Sequence, residues 1–168
     1  MQNVIKRNQA RHMQQQAGFT LIELVVVITI LAALSAIVLP RYVALQSDAR
    51  RAKAQALYGG MRAASVLAKA RCELDLAAGL VAAGTCGNAA PQVTMEGLAI
   101  DIVNRYPAAT APGIDAAAQI VVADGFTITA GATRLYDIAG GTAPNCRVTY
   151  TAAAVNAAPA ITLNTVGC

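Results

Sequence analysis

The 168-residue chain carries 13% charged residues and no Trp, which excludes a disordered tail and a typical charged enzyme surface, and its length suits one domain plus an extra element. Its formal charge of +4 is segregated: Lys6, Arg7 and Arg11 precede residue 19 with no acid, residues 41–71 hold seven basic residues against Asp48, and residues 72–168 hold three Arg against seven acids. Without the first 18 residues the chain is close to neutral, which excludes a general polyanion-binding surface.

Residues 1–39 join a polar, basic leader to an apolar core. Three readings compete for them: a secretory signal peptide, a plain membrane anchor, and a processed signal-anchor. A secretory signal would end in small residues, but the core ends in IVLPRYVALQ, with bulky residues at those places. Phe19 to Leu39 is 21 residues, enough helix to cross the roughly 30 Å hydrocarbon layer. From Leu24 to Leu39 there is no charge, and only Thr29 and Ser35 are polar. Glu23 nevertheless sits near the start of the run, where a lipid-exposed acid costs on the order of 2.5–3.5 kcal/mol at the bilayer centre. A plain anchor explains the length of the run. It does not explain Glu23.

The stretch GFTLIE, residues 18–23, resembles the cleavage site of type IV prepilins. The resemblance implies that a prepilin peptidase cuts after Gly18 and methylates the new N-terminus at Phe19. Glu23 is then the fifth residue of the mature chain, where that family places its acid. Cleavage creates an ammonium at Phe19 in a low-dielectric layer, where an unpaired charge is costly. The resemblance implies that Glu23 pairs with the Phe19 amine of an adjacent subunit during assembly and offsets that cost. Pilins of this class commonly carry a Pro where Pro40 closes the apolar run, and its ring and missing N–H predict a kink or loosening there.

Beyond Pro40 the helical pattern resumes. Tyr42, Leu45, Ala49, Ala52 and Ala56 fall on one face, with Arg50, Arg51 and Lys53 off it. Leu57, Met61, Ala64 and Ala68 continue the stripe with slight drift, as a face packing on a head would. Gly59-Gly60 is a weak point of about 1 kcal/mol per Gly relative to Ala. The expected helix runs from Phe19 to about Arg71. The expected division is a leader at 1–18, a transmembrane and filament-core helix at 19–40, an amphipathic half at 41–71, and a disulfide-containing, β-rich head at 72–168.

After Cys72 the texture becomes Gly- and Ala-rich and reads as loop. VTMEGLAIDIV suggests a hairpin about Glu96-Gly97, with Leu98, Ile100 and Ile102 alternating. Asp115 to Val122 reads as a short helix, although QIVV could equally start a strand. FTITA, TRLYDIA, CRVTYTA and AITLNTV are short segments rich in Thr, Ile, Val and Tyr, bounded by Gly, Pro and Asn, and read as strands. The expected fold is α+β, the type IV pilin fold: a long N-terminal helix whose apolar half protrudes and whose second half packs on an antiparallel sheet.

The four Cys, at 72, 86, 146 and 168, include no C-x-x-C pair, and the only His, His12, lies in the leader. Zinc is therefore not expected, and disulfides are the default for an exported head. Of three possible pairings, Cys72–Cys86 and Cys146–Cys168 are favoured, because each is local and the second ties the last residue to a strand. Ser35, Ser47 and Ser65 lie in the long helix with no His to activate them. Asp101, Asp115, Asp124 and Asp137 are not at calcium-loop spacing and read as solvated surface acids. No phosphate-cradling Gly motif precedes a helix. No catalytic residue, metal site or cofactor is expected, and the chain does not read as an enzyme.

Within pilins, PRYVALQSDAR, RYPAATAPGI and the terminal CRVTYT…ITLNTVGC resemble the mannose-sensitive haemagglutinin (MSHA) type. The Cys72/Cys86 pair is a departure from that type. The resemblance implies a major pilin that forms a helical homopolymer for surface attachment. Its partners would be prepilin peptidase, the inner-membrane pilus assembly machinery, membrane lipid before assembly, and copies of itself. The precursor would sit in the inner membrane with a periplasmic head, and the pilus would be extracellular. A type II secretion pseudopilin shares this N-terminus, although the calcium site usual in the major pseudopilin is not found here. A minor or DNA-uptake pilin would rely on Arg41, Arg50, Arg51, Lys53 and Arg62, but the net acidic head argues against nucleic acid as a partner.

Overall fold

The computed structural model describes residues 19–80, 86 and 92–168. The leader, with Gly18, and most of the Gly- and Ala-rich loop after residue 80 lie outside the described residues. Two compact units are distinguished, Met1–Arg41 and Tyr42–Cys168.

Helix α1 spans Leu21–Ala77. Thr20 caps its start: the Glu23 N–H donates to Thr20 Oγ1 at 3.3 Å, the N-cap to N3 bond that Ser and Thr favour. Pro40 lies inside the helix, and its missing N–H leaves the Ala36 carbonyl without an intrahelical donor. The helix ends six residues later than the expected Arg71. Helix formers continue through Cys72–Ala77, and Arg71 pairs with Asp75 one turn on at 3.0 Å. Gly79 then supplies the stop. At φ 68 its N–H bonds the Leu76 carbonyl while the Leu80 N–H reaches Asp75, a Schellman closure for which Gly is suited.

In the second unit, the face of α1 that packs is Ala54, Leu57, Met61, Ala64, Ala68 and Cys72. The stripe expected before it was out of phase: Tyr42, Leu45, Ala49, Ala52 and Ala56 are all exposed. The contacts on that side are made instead by Arg50 and Lys53, which were expected to lie off the face. Arg50 Nε donates to the Cys168 carbonyl oxygen at 2.5 Å. Lys53 Nζ donates to the Asp124 carbonyl oxygen and stands 4.7 Å from the centroid of the Phe126 ring. Long basic side chains can cover apolar surface with their stems while their heads satisfy loop carbonyls.

Two antiparallel sheets pack on α1, where one was expected. The first contains β1 (Gln92–Met95), β2 (Leu98–Val103) and β3 (Tyr106–Pro107). Its first turn, Glu96-Gly97, has φ of 50 and 81, the left-handed pair that a two-residue hairpin requires. Ile100 and Ile102 are buried but Leu98 is exposed, because it stands at the turn end, beyond the core. The second sheet is a meander of β4 (Phe126–Thr129), β5 (Thr133–Ile138), β6 (Arg147–Thr151) and β7 (Ala160–Asn164). Ala54, Leu57 and Met61 pack with Phe126, Tyr136, Val148 and Tyr150 of this sheet. Ala68 and Cys72 pack with Val93, Ile100 and Ile102 of the smaller one. The Ala-rich helix lets both sheets approach closely.

The segment expected to be helical from Asp115 begins four residues earlier, as a π-type turn over Ala111–Asp115. Pro112 suits its first turn. Gly113 lies so close to the Ala108 backbone that a Cβ would collide with it, and the Ile114 N–H bonds the Ala108 carbonyl at 2.9 Å. QIVV does not form a strand.

The structure joins Cys72 to Cys86 and Cys146 to Cys168, the second across a sequence separation of 22 with Cα atoms 4.8 Å apart. Cys146 and Cys168 both belong to the larger core. Closing a loop of that size contributes on the order of 3 kcal/mol in the chain-entropy model. Cys146→Ser is therefore expected to lower head stability and steady-state subunit level, measured by limited proteolysis and immunoblotting. Mutant subunits as protease-resistant as the wild type would refute the bond's importance.

Candidate processing and assembly site

In the first unit, every residue from 19 to 41 is exposed, including Leu24, Val27, Ile30, Leu31, Leu34 and Ile37. The helix is long and apolar enough to cross a membrane. The two polar side chains between Leu24 and Leu39 are satisfied within the helix: Thr29 Oγ1 donates to the Val26 carbonyl at 2.8 Å and Ser35 Oγ to that of Ala32 at 2.9 Å. Hydrocarbon demands such closure, since it supplies no partner for a hydroxyl.

Glu23 alone departs from this. Its N–H completes half of a capping box with Thr20, and a carboxylate in the first turn suits the helix dipole. The carboxylate itself has no ion pair or side-chain hydrogen bond among the described residues. Phe19, 84% exposed, lies one turn before it. The site is therefore an exposed apolar helix start with one free carboxylate, in a segment whose other polar side chains are closed. Residues 13–39 match the model of the prokaryotic N-terminal methylation motif. The N-terminus is that of a type IV pilin-like prepilin. No curated protein and no solved structure significantly matches the chain.

The motif implies a membrane-anchored precursor that prepilin peptidase processes for assembly into a filament. Together with the long apolar helix and the antiparallel sheets, the motif gives the chain the type IV pilin α+β fold.

The acids of the Tyr42–Cys168 unit do not behave alike, which corrects their reading as solvated surface groups. Asp124 is exposed. Asp101 accepts a hydrogen bond from Gln92 Nε2 at 2.8 Å. Asp137 takes both Nε and Nη2 of Arg147, at 2.6 and 2.8 Å, a bidentate pair that raises the guanidinium pKa further above its ordinary value. Asp115 is buried. Arg134 Nε donates to its two oxygens at 3.1 and 3.2 Å, Arg134 Nη2 adds a further bond, and the Tyr136 hydroxyl donates to Oδ1. The bond to Asp115 raises the Arg134 pKa, and burial, followed by that same carboxylate, raises the Tyr136 phenol well above its usual range. The residues of this network are 19 and 21 positions apart, beyond the reach of any local pattern. Its chemistry is structural: a paired charge joins the turn at Ala111–Asp115 to β5.

Proposed function

We propose that the chain is the subunit of an MSHA-type type IV pilus used for surface attachment. The carrying observation is the Glu23 carboxylate, unpaired among the described residues, at the start of the exposed apolar stretch 21–40 of α1. In this reading prepilin peptidase cuts after Gly18, Phe19 is N-methylated, and Glu23 of each incoming subunit meets the Phe19 ammonium of a neighbour. An acid in hydrocarbon and an ammonium in hydrocarbon are each unfavourable alone, and pairing offsets both. Residues 19–40 then leave the bilayer to line the filament core, Pro40 loosens the helix there, and residues 72–168 form the outward head. The precursor sits in the inner membrane with its head in the periplasm, where the assembly machinery engages it, and the finished filament is extracellular.

The motif is shared with type II secretion pseudopilins. The terminal disulfide loop and the resemblance of CRVTYT…ITLNTVGC to the MSHA type support the pilus instead. A DNA-uptake role is less well supported, because Arg50 and Lys53 of the candidate basic cluster are engaged with carbonyls of the head.

Mass spectrometry of filaments sheared from the native cells tests the reading. The subunit is expected to begin at Phe19 and to carry one extra methyl group on its amine. A mature N-terminus elsewhere would overturn it.

A further inference from the structure

A cleft in the Tyr42–Cys168 unit is explained neither by the processing motif nor by the core. It consists of two hollows, of about 320 and 390 Å³, that share Tyr106 and Ala158. One wall is α1, with Tyr58, Arg62, Ser65 and Lys69; the other is the β2–β3 turn and the segment before β7.

Three independent observations converge on it. The first is a buried polar pair: Ser65, 3% exposed, lines the first hollow, and its hydroxyl lies beside the Tyr150 phenol. The nearby Tyr150 phenol, raised to about 12 chiefly by burial, gives its proton to the Pro107 carbonyl at 2.7 Å. The Tyr150 oxygen is thereby left to accept from the Ser65 hydroxyl, so the floor of the hollow is polar.

The second observation is charge. Arg62 touches the Tyr58 hydroxyl at 3.3 Å and that ring at 5.6 Å, and among the described residues it meets no carboxylate. Lys69 and Arg105 share one acid, Glu73, at 3.8 and 3.9 Å. Three cations thus face one carboxylate along the cleft.

The third observation is backbone strain. Asn104, Arg105 and Asn156 all line the second hollow and have φ of 50, 73 and 59. Asn104-Arg105 is the two-residue turn between β2 and β3. Its second position is one where Gly is at ease and a long side chain is not. Arg105 adds strain to the turn and places a guanidinium at the cleft, and strain of this kind gathers where a side chain has a task.

We propose that this cleft binds an acidic saccharide. The carboxylates of its sugar units would meet Arg62, Lys69 and Arg105 in charge-assisted hydrogen bonds. The apolar C–H face of a pyranose fits half-buried Tyr58 and Tyr106, which both line the first hollow. Tyrosine rings interleaved with guanidinium and ammonium groups suit a ring with one apolar face and a charged rim better than an acidic peptide. The inference does not rest on polymerisation, so its failure and that of the pilus reading are separable.

Calorimetric titration of the full chain in detergent with trigalacturonate and with sialyllactose tests it. Saturable binding of at least one is expected, weakened about tenfold or more by Arg105→Gly and by Arg62→Gln, as loss of a charge-assisted bond implies. Arg105→Gly should leave the melting temperature unchanged or raised, because Gly adopts the turn freely, so that lost binding is not lost folding. The proposal is overturned if neither sugar binds saturably, or if Arg105→Gly binds as well as the wild type. Equal or tighter binding of hexaglutamate would also overturn it, in favour of an acidic protein partner.

Discussion

Glu23→Gln is expected to leave a folded, membrane-inserted and correctly processed subunit that makes almost no filaments. The amide keeps the shape of the side chain, and the bond from the residue 23 N–H to Thr20 Oγ1 uses the backbone alone. The helix start therefore loses only a dipole interaction of about 0.3–1 kcal/mol. Assembly loses far more. Each docking step would carry a Phe19 ammonium into the apolar core with no anion to meet it, and an unpaired charge there costs several kcal/mol or more. Because a filament repeats that step at every subunit, a modest deficit per subunit suffices to stop growth. Electron microscopy of sheared filaments, with immunoblots for processed subunit in the membrane, separates the two effects. Normal pilus numbers in Glu23→Gln cells would sink the pairing role.

Asp115→Ala is expected to produce a large stability loss in the Tyr42–Cys168 unit. Its carboxylate is the common acceptor for Arg134 and Tyr136, and the Arg134 and Asp115 side chains are only 11% and 9% exposed. Removing the acid leaves a buried cation and a buried phenol unsatisfied, a change that costs about 3–5 kcal/mol. That is a large share of the roughly 5–15 kcal/mol available to a domain. Arg134 cannot escape by losing its proton, because a guanidinium stays charged in proteins. The penalty comes from the unpaired partner more than from the lost pair. Asp115→Leu combined with Arg134→Met and Tyr136→Phe should therefore recover most of the loss. Urea unfolding of the full chain in detergent, followed by near-UV circular dichroism, measures both variants. A single mutant within about 1 kcal/mol of wild type, an ordinary surface effect, would refute the network's role.

Features carried by short stretches were legible in the sequence. The apolar run and the GFTLIE stretch are contiguous, and the fold class followed from them and from the strand segments. The four segments of the larger sheet could be read because β-branched and aromatic residues alternate between Gly, Pro and Asn. Glu96-Gly97 announced its hairpin because a two-residue turn needs left-handed backbone, which Gly supplies. The π-type turn was missed because Pro112-Gly113 also reads as loop. Its helical winding depends on Gly113 meeting Ala108, a contact no local propensity records.

By itself, then, the sequence determined the long helix, the apolar segment with its lone acid, and an antiparallel head. These depend on hydropathy, period and turn chemistry, which act over a few residues. Tertiary structure alone decided which face of α1 is buried, since an Ala-rich helix offers several nearly equivalent faces and the head selects the one that fits. It also decided that the strands divide into two sheets, that Arg50 and Lys53 are spent on carbonyls of the head, and that Asp115 is a buried ion-pair partner rather than a solvated acid. The cleft that gathers Ser65, Arg62, Lys69 and Arg105 is of the same kind. Burial and charge pairing are set by groups far apart in the chain, and the fold alone brings them within a few ångströms.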